Sequence, residues 1–197
     1  GLYLQNNQLT SVKGLEKLNQ LKKLHLFNNQ LTDLKGLENL TQLTFLSLYR
    51  NKLTSVKGLE KLNQLKALTL GDNQLTDVKG LEKLNQLTRL EVSKNKLTEL
   101  PKGLEMLTQL TYLNLYGNQL TDVEGLGKFT QLTVLRLPGN PDLTKTQIAE
   151  LQKALPKCKI YGADGKPVEE MTQEHYGLGH GGYVNSVTFS RDGKWFV

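Results

Sequence analysis

The chain has 197 residues, 38% of them hydrophobic, enough for one substantial domain or a repeat array with a small appendage. Its 25 Lys and Arg against 19 Asp and Glu leave a charge of +6 spread along the chain. That excludes the concentrated basic stripe of a nucleic-acid binder and tilts partner preference mildly toward acidic surfaces. A lone cysteine, Cys158, excludes an internal disulfide framework; the compartment stays open, with the missing pair tilting the reading toward the cytoplasm. No apolar run approaches the roughly 18 residues of a membrane span. No charged-then-apolar leader precedes the first repeat, but Gly1 falls inside a repeat, so the natural start is expected to lie outside this sequence.

From Gly1 onward the chain repeats itself. Asparagines recur at Asn7, Asn29, Asn51, Asn73, Asn95, Asn118 and Asn140, at steps of 22 residues with one step of 23. The longer unit holds its extra residue around Pro101. In the second unit Leu21, Leu24, Leu26, Leu31, Leu34, Leu37 and Leu40 fall on the inside of one coil. One coil cannot cover them, so stacked coils must share a continuous core. The alternation Leu24, His25, Leu26 has the period of two of a short strand, with His25 outward. The asparagine after it marks a bend where backbone groups lose their ladder partners, and a carboxamide can both donate and accept there. Gly58, followed by Leu59 and Leu62, predicts a tight turn and a short helical segment on the outer side.

The pattern LxxLxLxxNxL, as in LKKLHLFNNQL from Leu21, resembles the leucine-rich-repeat family, and the 22-residue unit is most similar to the bacterial internalin subclass and the related eukaryotic phosphatase-regulator type. The resemblance covers residues 1–143, about seven repeats. It implies an α/β repeat solenoid: a curved array with a parallel concave sheet and short helical or turn segments on the convex side. It also implies a binding surface for a protein partner, without saying which.

After Asn140 the pattern breaks. Thr144 followed by Gln147 is a capping box, Ile148, Leu151 and Leu155 form an apolar stripe, and Pro156 ends the helix. Residues 144–161 are therefore expected to be a C-terminal capping helix and strand, with Cys158 and Ile160 inward and Cys158 structural. Residues 162–178 read as a polar linker. Residues 179–197 resemble the truncated start of a WD-repeat blade, on the GH dipeptide of Gly179 and His180 and the stretch SVTFSRDGK. That resemblance makes His180 structural and implies a longer parent with a propeller after the repeats.

Comparing repeats within the chain locates the candidate surface. Outer segments such as VKGLEKLNQ recur almost verbatim from Val12, Val56 and Val78, whereas the outward strand positions vary. Six of the seven aromatics in residues 1–143 (Tyr3, Phe27, Phe45, Tyr49, Tyr112 and Tyr116) lie in these columns. Outward aromatics anchor interfaces, although strand surfaces also favour them for packing on neighbours. Seven cations there (Lys22, Lys23, Arg50, Lys66, Arg89, Lys94, Arg136) face two carboxylates, Asp72 and Glu91. Candidate partner-binding residues are Tyr3, Lys23, His25, Phe27, Phe45, Tyr49, Arg50, Arg89, Glu91, Tyr112, Tyr116 and Arg136, and the expected partner is a protein of acidic or mixed charge. Ala67, Thr69, Gly71 and Asp72 predict a shallow dent between two aromatic clusters.

No catalytic group, cofactor or metal is expected. His25, His175 and His180 lie far apart, and no nucleophile elbow, phosphate loop or paired-cysteine spacing occurs. Glu16, Glu38, Glu60 and Glu82 recur once per coil beside lysines and read as a solvated charged surface. A second role remains open, in which the array is a structural scaffold or spacer within a larger multidomain protein.

Overall fold

The structure is a computed structural model that describes residues 1–162 and two further short strands, β9 (Thr188–Phe189) and β10 (Trp195–Phe196). The chain divides into two compact units, Gly1–Gly165 and Lys166–Val197. In the second, β9 and β10 pair antiparallel, Phe189 opposite Trp195. The remainder of the linker and blade-like readings lies outside the described residues.

The first unit is one parallel sheet of eight strands in chain order. They are β1 (Leu2–Tyr3), β2 (Lys23–His25), β3 (Phe45–Ser47), β4 (Ala67–Thr69), β5 (Arg89–Glu91), β6 (Tyr112–Asn114), β7 (Val134–Arg136) and β8 (Lys159–Tyr161). Register follows the repeat: Leu24 pairs with Leu46, Leu46 with Leu68, Leu68 with Leu90. Each of these leucines is fully buried, as are Leu31, Leu37 and Leu40 from the rest of one coil. A single core runs from Val12 to Cys158, each layer closed by the next coil.

The asparagine ladder operates as the sequence predicts. The Asn73 carboxamide donates to the carbonyls of Leu48, Leu70 and Gly71 at 3.0, 3.0 and 3.2 Å, and its oxygen accepts the Leu53 N–H at 3.0 Å. One side chain thus closes its own bend and ties it to the coil before. Asn29, Asn51, Asn95, Asn118 and Asn140 repeat the arrangement and are all buried.

On the outer side, 3₁₀ turns form at Leu37–Asn39, Leu81–Lys83, Leu104–Met106 and Leu126–Lys128. Each begins after a glycine with positive φ, between 81° and 107°, a conformation that side chains disfavour. The recurring glutamates correct the sequence reading. They are not merely solvated charge: Glu16, Glu38, Glu60, Glu82 and Glu105 each accept the N–H of the glycine two residues earlier, at 2.6–2.9 Å. Hydrogen bonding from each glutamate's own backbone N–H holds the Glu38 and Glu105 carboxyls below their ordinary pKa of 4.5, with the Gly36 N–H adding to it at Glu38 and the Lys128 ammonium at Glu105.

In the last coil Gly127 takes the glutamate's place, and a Cβ there would stand 3.2 Å from the Ala154 methyl. That exception admits helix α1 (Lys145–Ala154). Its capping box is present: Thr144 Oγ1 accepts the Gln147 N–H at 3.2 Å, and Gln147 Oε1 accepts the Thr144 N–H at 2.8 Å. Leu151 and Leu155 are buried against the last coil and Ile148 is half-buried. Cys158 is buried, and burial pushes its thiol pKa up, away from the reactive thiolate.

Candidate functional site: the outward strand face

Parallel sheets normally have both faces covered by helices. Here the leucines fill one face and α1 caps the last coil, which leaves the other face to carry whatever the repeats vary. Alternation in strands of three residues gives each repeat two outward side chains, for example Phe45 and Ser47 on either side of Leu46. Residues just beyond each strand extend the columns.

Near the start, Tyr3, His25 and Phe45 form a continuous stack. Ring centroids are 4.6 Å apart between Tyr3 and His25 and 4.7 Å between His25 and Phe45, with interplanar angles of 26° and 29°. Burial, then the Lys23 and N-terminal charges, push the His25 pKa from 6.5 down to about 4, so the imidazole is neutral near pH 7. Phe27 is half-buried beside this stack's strand, and Lys23 is exposed.

The middle of the face is polar and closed. Ser47 and Thr69 are buried and joined by a 2.9 Å hydrogen bond from the Thr69 hydroxyl. A Cβ on Gly71 would stand 2.7 Å from Ser93 Oγ and 3.0 Å from the Tyr49 ring. The dent expected at Ala67, Thr69, Gly71 and Asp72 is therefore filled at Gly71 by the ring of Tyr49, which only a glycine admits so closely.

Further along, the Arg89 guanidinium lies 3.6 Å from the Tyr112 ring centroid and 3.8 Å from Glu91 Oε2, while Glu91 Oε1 accepts the Ser93 hydroxyl. Tyr112 is consequently 7% exposed, which corrects its reading as an open anchor. Tyr116 is 38% exposed and does stand open. Both carboxylates of the face are engaged, Asp72 with Arg50 at 3.3 Å and Glu91 with Arg89. The other cations of the face are Lys22, Lys23, Lys66, Lys94 and Arg136.

Sequence reasoning stopped the columns at β7. Register extends them, placing Lys159 beside Val134 and Tyr161 beside Arg136. The alternation Lys159, Ile160, Tyr161 after Cys158 was the available signal. Among the described residues no cluster of three or more His, Cys, Asp and Glu could hold a metal ion, and no helix is long and apolar enough to cross a membrane.

The leucine-rich-repeat family model, which spans two copies of the repeat, matches residues 1–39, 41–83, 85–128 and 108–153. The chain belongs to the leucine-rich-repeat family. Among solved structures, this leucine-rich-repeat chain is similar to a leucine-rich-repeat protein of Leptospira interrogans, at 33% identity and a TM-score of 0.75. That match covers 81% of this chain and 42% of the other. Internalin C2 of Listeria monocytogenes is 34% identical, with 81% and 68% covered and a TM-score of 0.74. Another Listeria internalin is 29% identical, with 79% and 45% covered and a TM-score of 0.74. The chain thus spans less than half the length of two of these relatives. No curated protein matches it.

Proposed function

We propose that the repeat unit is a protein-recognition module whose outward strand face binds a protein partner of acidic or mixed charge. The observation that carries this is the division of variability: the core, ladder and outer segment repeat from coil to coil, while the outward columns do not. A repeating surface suits no irregular partner, whereas a varied one with half-buried Phe27 and Tyr49 and open Tyr116 supplies distinct contacts. Seven repeat strands at about 4.8 Å span roughly 30 Å, the scale of a small domain. The cationic excess favours carboxylate-bearing surfaces and makes encounter rates fall with salt.

A capture experiment tests the reading. Because Arg89 and Tyr112 cover one another, their removal would damage the fold. A better set is Phe27→Ala, Tyr49→Ala and Arg50→Ala together, compared with Lys57→Ala and Lys79→Ala on the outer side. A protein captured by the native chain should be lost with the first set and kept with the second. Capture that survives both sets would favour the scaffold or spacer reading.

The antiparallel pairing of β9 with β10 supports the further reading of residues 179–197 as resembling the opening of a WD-repeat blade.

A further inference from the structure

The two arginines within the strands themselves, Arg89 and Arg136, differ in one respect. Arg89 has Glu91 beside it and Tyr112 beneath it. Arg136 lies two strands from Glu91, about 10 Å at normal sheet spacing, with Asn114 between them. Asn114 commits its carboxamide oxygen to the Tyr116 N–H at 3.0 Å. Among the described residues no carboxylate lies within salt-bridge distance of Arg136, and its Nε is buried without a hydrogen bond. Leaving a buried guanidinium N–H without an acceptor is costly; Arg89 Nε shares that state but has the Glu91 carboxylate beside its guanidinium, whereas Arg136 has none among the described residues.

Among the described residues, the strand neighbours of Arg136 carry no acid. Its register partner is Tyr161, and the Lys159 ammonium lies 5.3 Å from that ring's centroid. Val134, two residues earlier on the same strand, carries no acid either. A planar guanidinium fork beside a phenol, with a second cation nearby, matches the shape and charge of a carboxylate. A phosphate dianion would gather more donors than one fork supplies.

We propose that Arg136, with Lys159 and Tyr161 beside it, forms a carboxylate-binding subsite on the outward face. It would be occupied by an Asp or Glu side chain, or by the C-terminal carboxylate, of the protein partner. This deepens the recognition reading and rests on it.

The test uses the full 197-residue chain, labelled with ¹⁵N, and four probes. Three are alanine tripeptides blocked at the N-terminus: one with a central glutamate and an amidated end, one with a free C-terminal carboxylate, and one with a central glutamine and an amidated end. The fourth is inorganic phosphate. The readout is the Nε–H resonance of Arg136, assigned by its disappearance in Arg136→Gln. A saturable shift with the glutamate peptide assigns a side-chain carboxylate, and one with the free-ended peptide assigns a chain terminus. The glutamine peptide should leave the resonance in place. Followed at the Tyr161 amide, carboxylate binding should weaken about tenfold in Arg136→Gln, the loss of one charged hydrogen-bonding group. Arg136→Lys, which keeps charge but not the fork, should fall between. A dispersed amide spectrum separates these effects from unfolding. No saturable shift with either carboxylate, or a shift with phosphate or the glutamine peptide alone, overturns the subsite. Partner capture by the Phe27 and Tyr49 variants reports on the wider face, so a silent Arg136 on a face that still captures protein removes the subsite alone.

Discussion

The outer segment and the outward strand face are built from the same coils under opposite rules. On the outer segment every coil but the last solves one local problem in one way: a glycine with positive φ starts the turn, and a glutamate two residues on accepts its N–H. On the strand face neighbouring coils solve different problems, with an aromatic stack in the first three, a serine–threonine bond in the next and an arginine on tyrosine after that. Uniformity marks positions set by stability within a stack. Divergence marks positions freed from that duty, some of them carrying a cost.

The sharpest way to break this contrast is at the framework. Asn73→Ala removes three donated bonds and one accepted bond, all within buried or nearly buried backbone. Stranding several such groups is expected to cost about 3 kcal/mol or more, read from the urea midpoint. Thr69→Val, on the strand face of the same coil, loses a single hydroxyl pair with Ser47 and should cost about 1 kcal/mol. If the two variants unfolded alike, the division into framework and face would be without energetic basis.

A second test separates them by shape. Gly71→Ala introduces a methyl 2.7 Å from Ser93 Oγ and 3.0 Å from the Tyr49 ring, on backbone without positive φ. The rigid ring must swing outward, for an expected cost of about 1–2 kcal/mol. The change should show as increased exposure of Tyr49 in its near-ultraviolet circular dichroism, with the outer segment untouched.

Most of this architecture was legible from the sequence, because a repeat exposes its own rules. Asn29 and its equivalents, the inward leucines, the Thr144–Gln147 cap and the parallel order all follow from spacing and side-chain chemistry. What escaped was pairwise. Glu38 looked like a surface charge because its acceptor role depends on the glycine N–H turning toward it, a backbone detail set by φ of 107° at Gly36. Tyr112 looked open because nothing in the sequence says that Arg89, 23 residues earlier, folds onto its ring. Tyr161 escaped because it follows a helix rather than a repeat.

Acid distinguishes the two regions by pH window. His25 on the strand face has its pKa lowered to about 4 from 6.5, so the unfolded chain takes the proton first as pH falls. Its contribution is complete above 6.5 and is lost on descending toward 4. The outer-segment carboxylates of Glu38 and Glu105, held below 4.5, lose theirs only as pH drops beneath that value. His25→Phe keeps an aromatic between Tyr3 and Phe45 and removes the upper window. Thermal midpoints between pH 7 and pH 5 should then change less than in the native chain, while the decline below 4.5 should persist. An unchanged upper window would mean that His25 is not neutralised by its stack.

The smallest effect has the opposite sign. At the bend before each ladder asparagine the backbone is left-handed: φ is 58° at Asn6, 54° at Asn28, 55° at Arg50, 54° at Asp72 and 50° at Lys94, and the last two coils use Gly117 and Gly139. Asparagine, aspartate and glycine tolerate this conformation, whereas long side chains pay for it in strain of about 1 kcal/mol. Arg50 has a partial offset in its exposed pair with Asp72 at 3.3 Å, worth little in water. Lys94 is exposed and forms no ion pair among the described residues. Lys94→Asn should therefore stabilise the chain by about 0.5–1 kcal/mol in urea unfolding, since asparagine already occupies the same bend at Asn6 and Asn28. The same substitution removes a cation from the rim of the strand face, so capture of an acidic partner should weaken as stability rises. A stabilised variant with undiminished capture would place Lys94 outside the recognition surface, and a destabilised one would show that the bend imposes no strain for it to relieve.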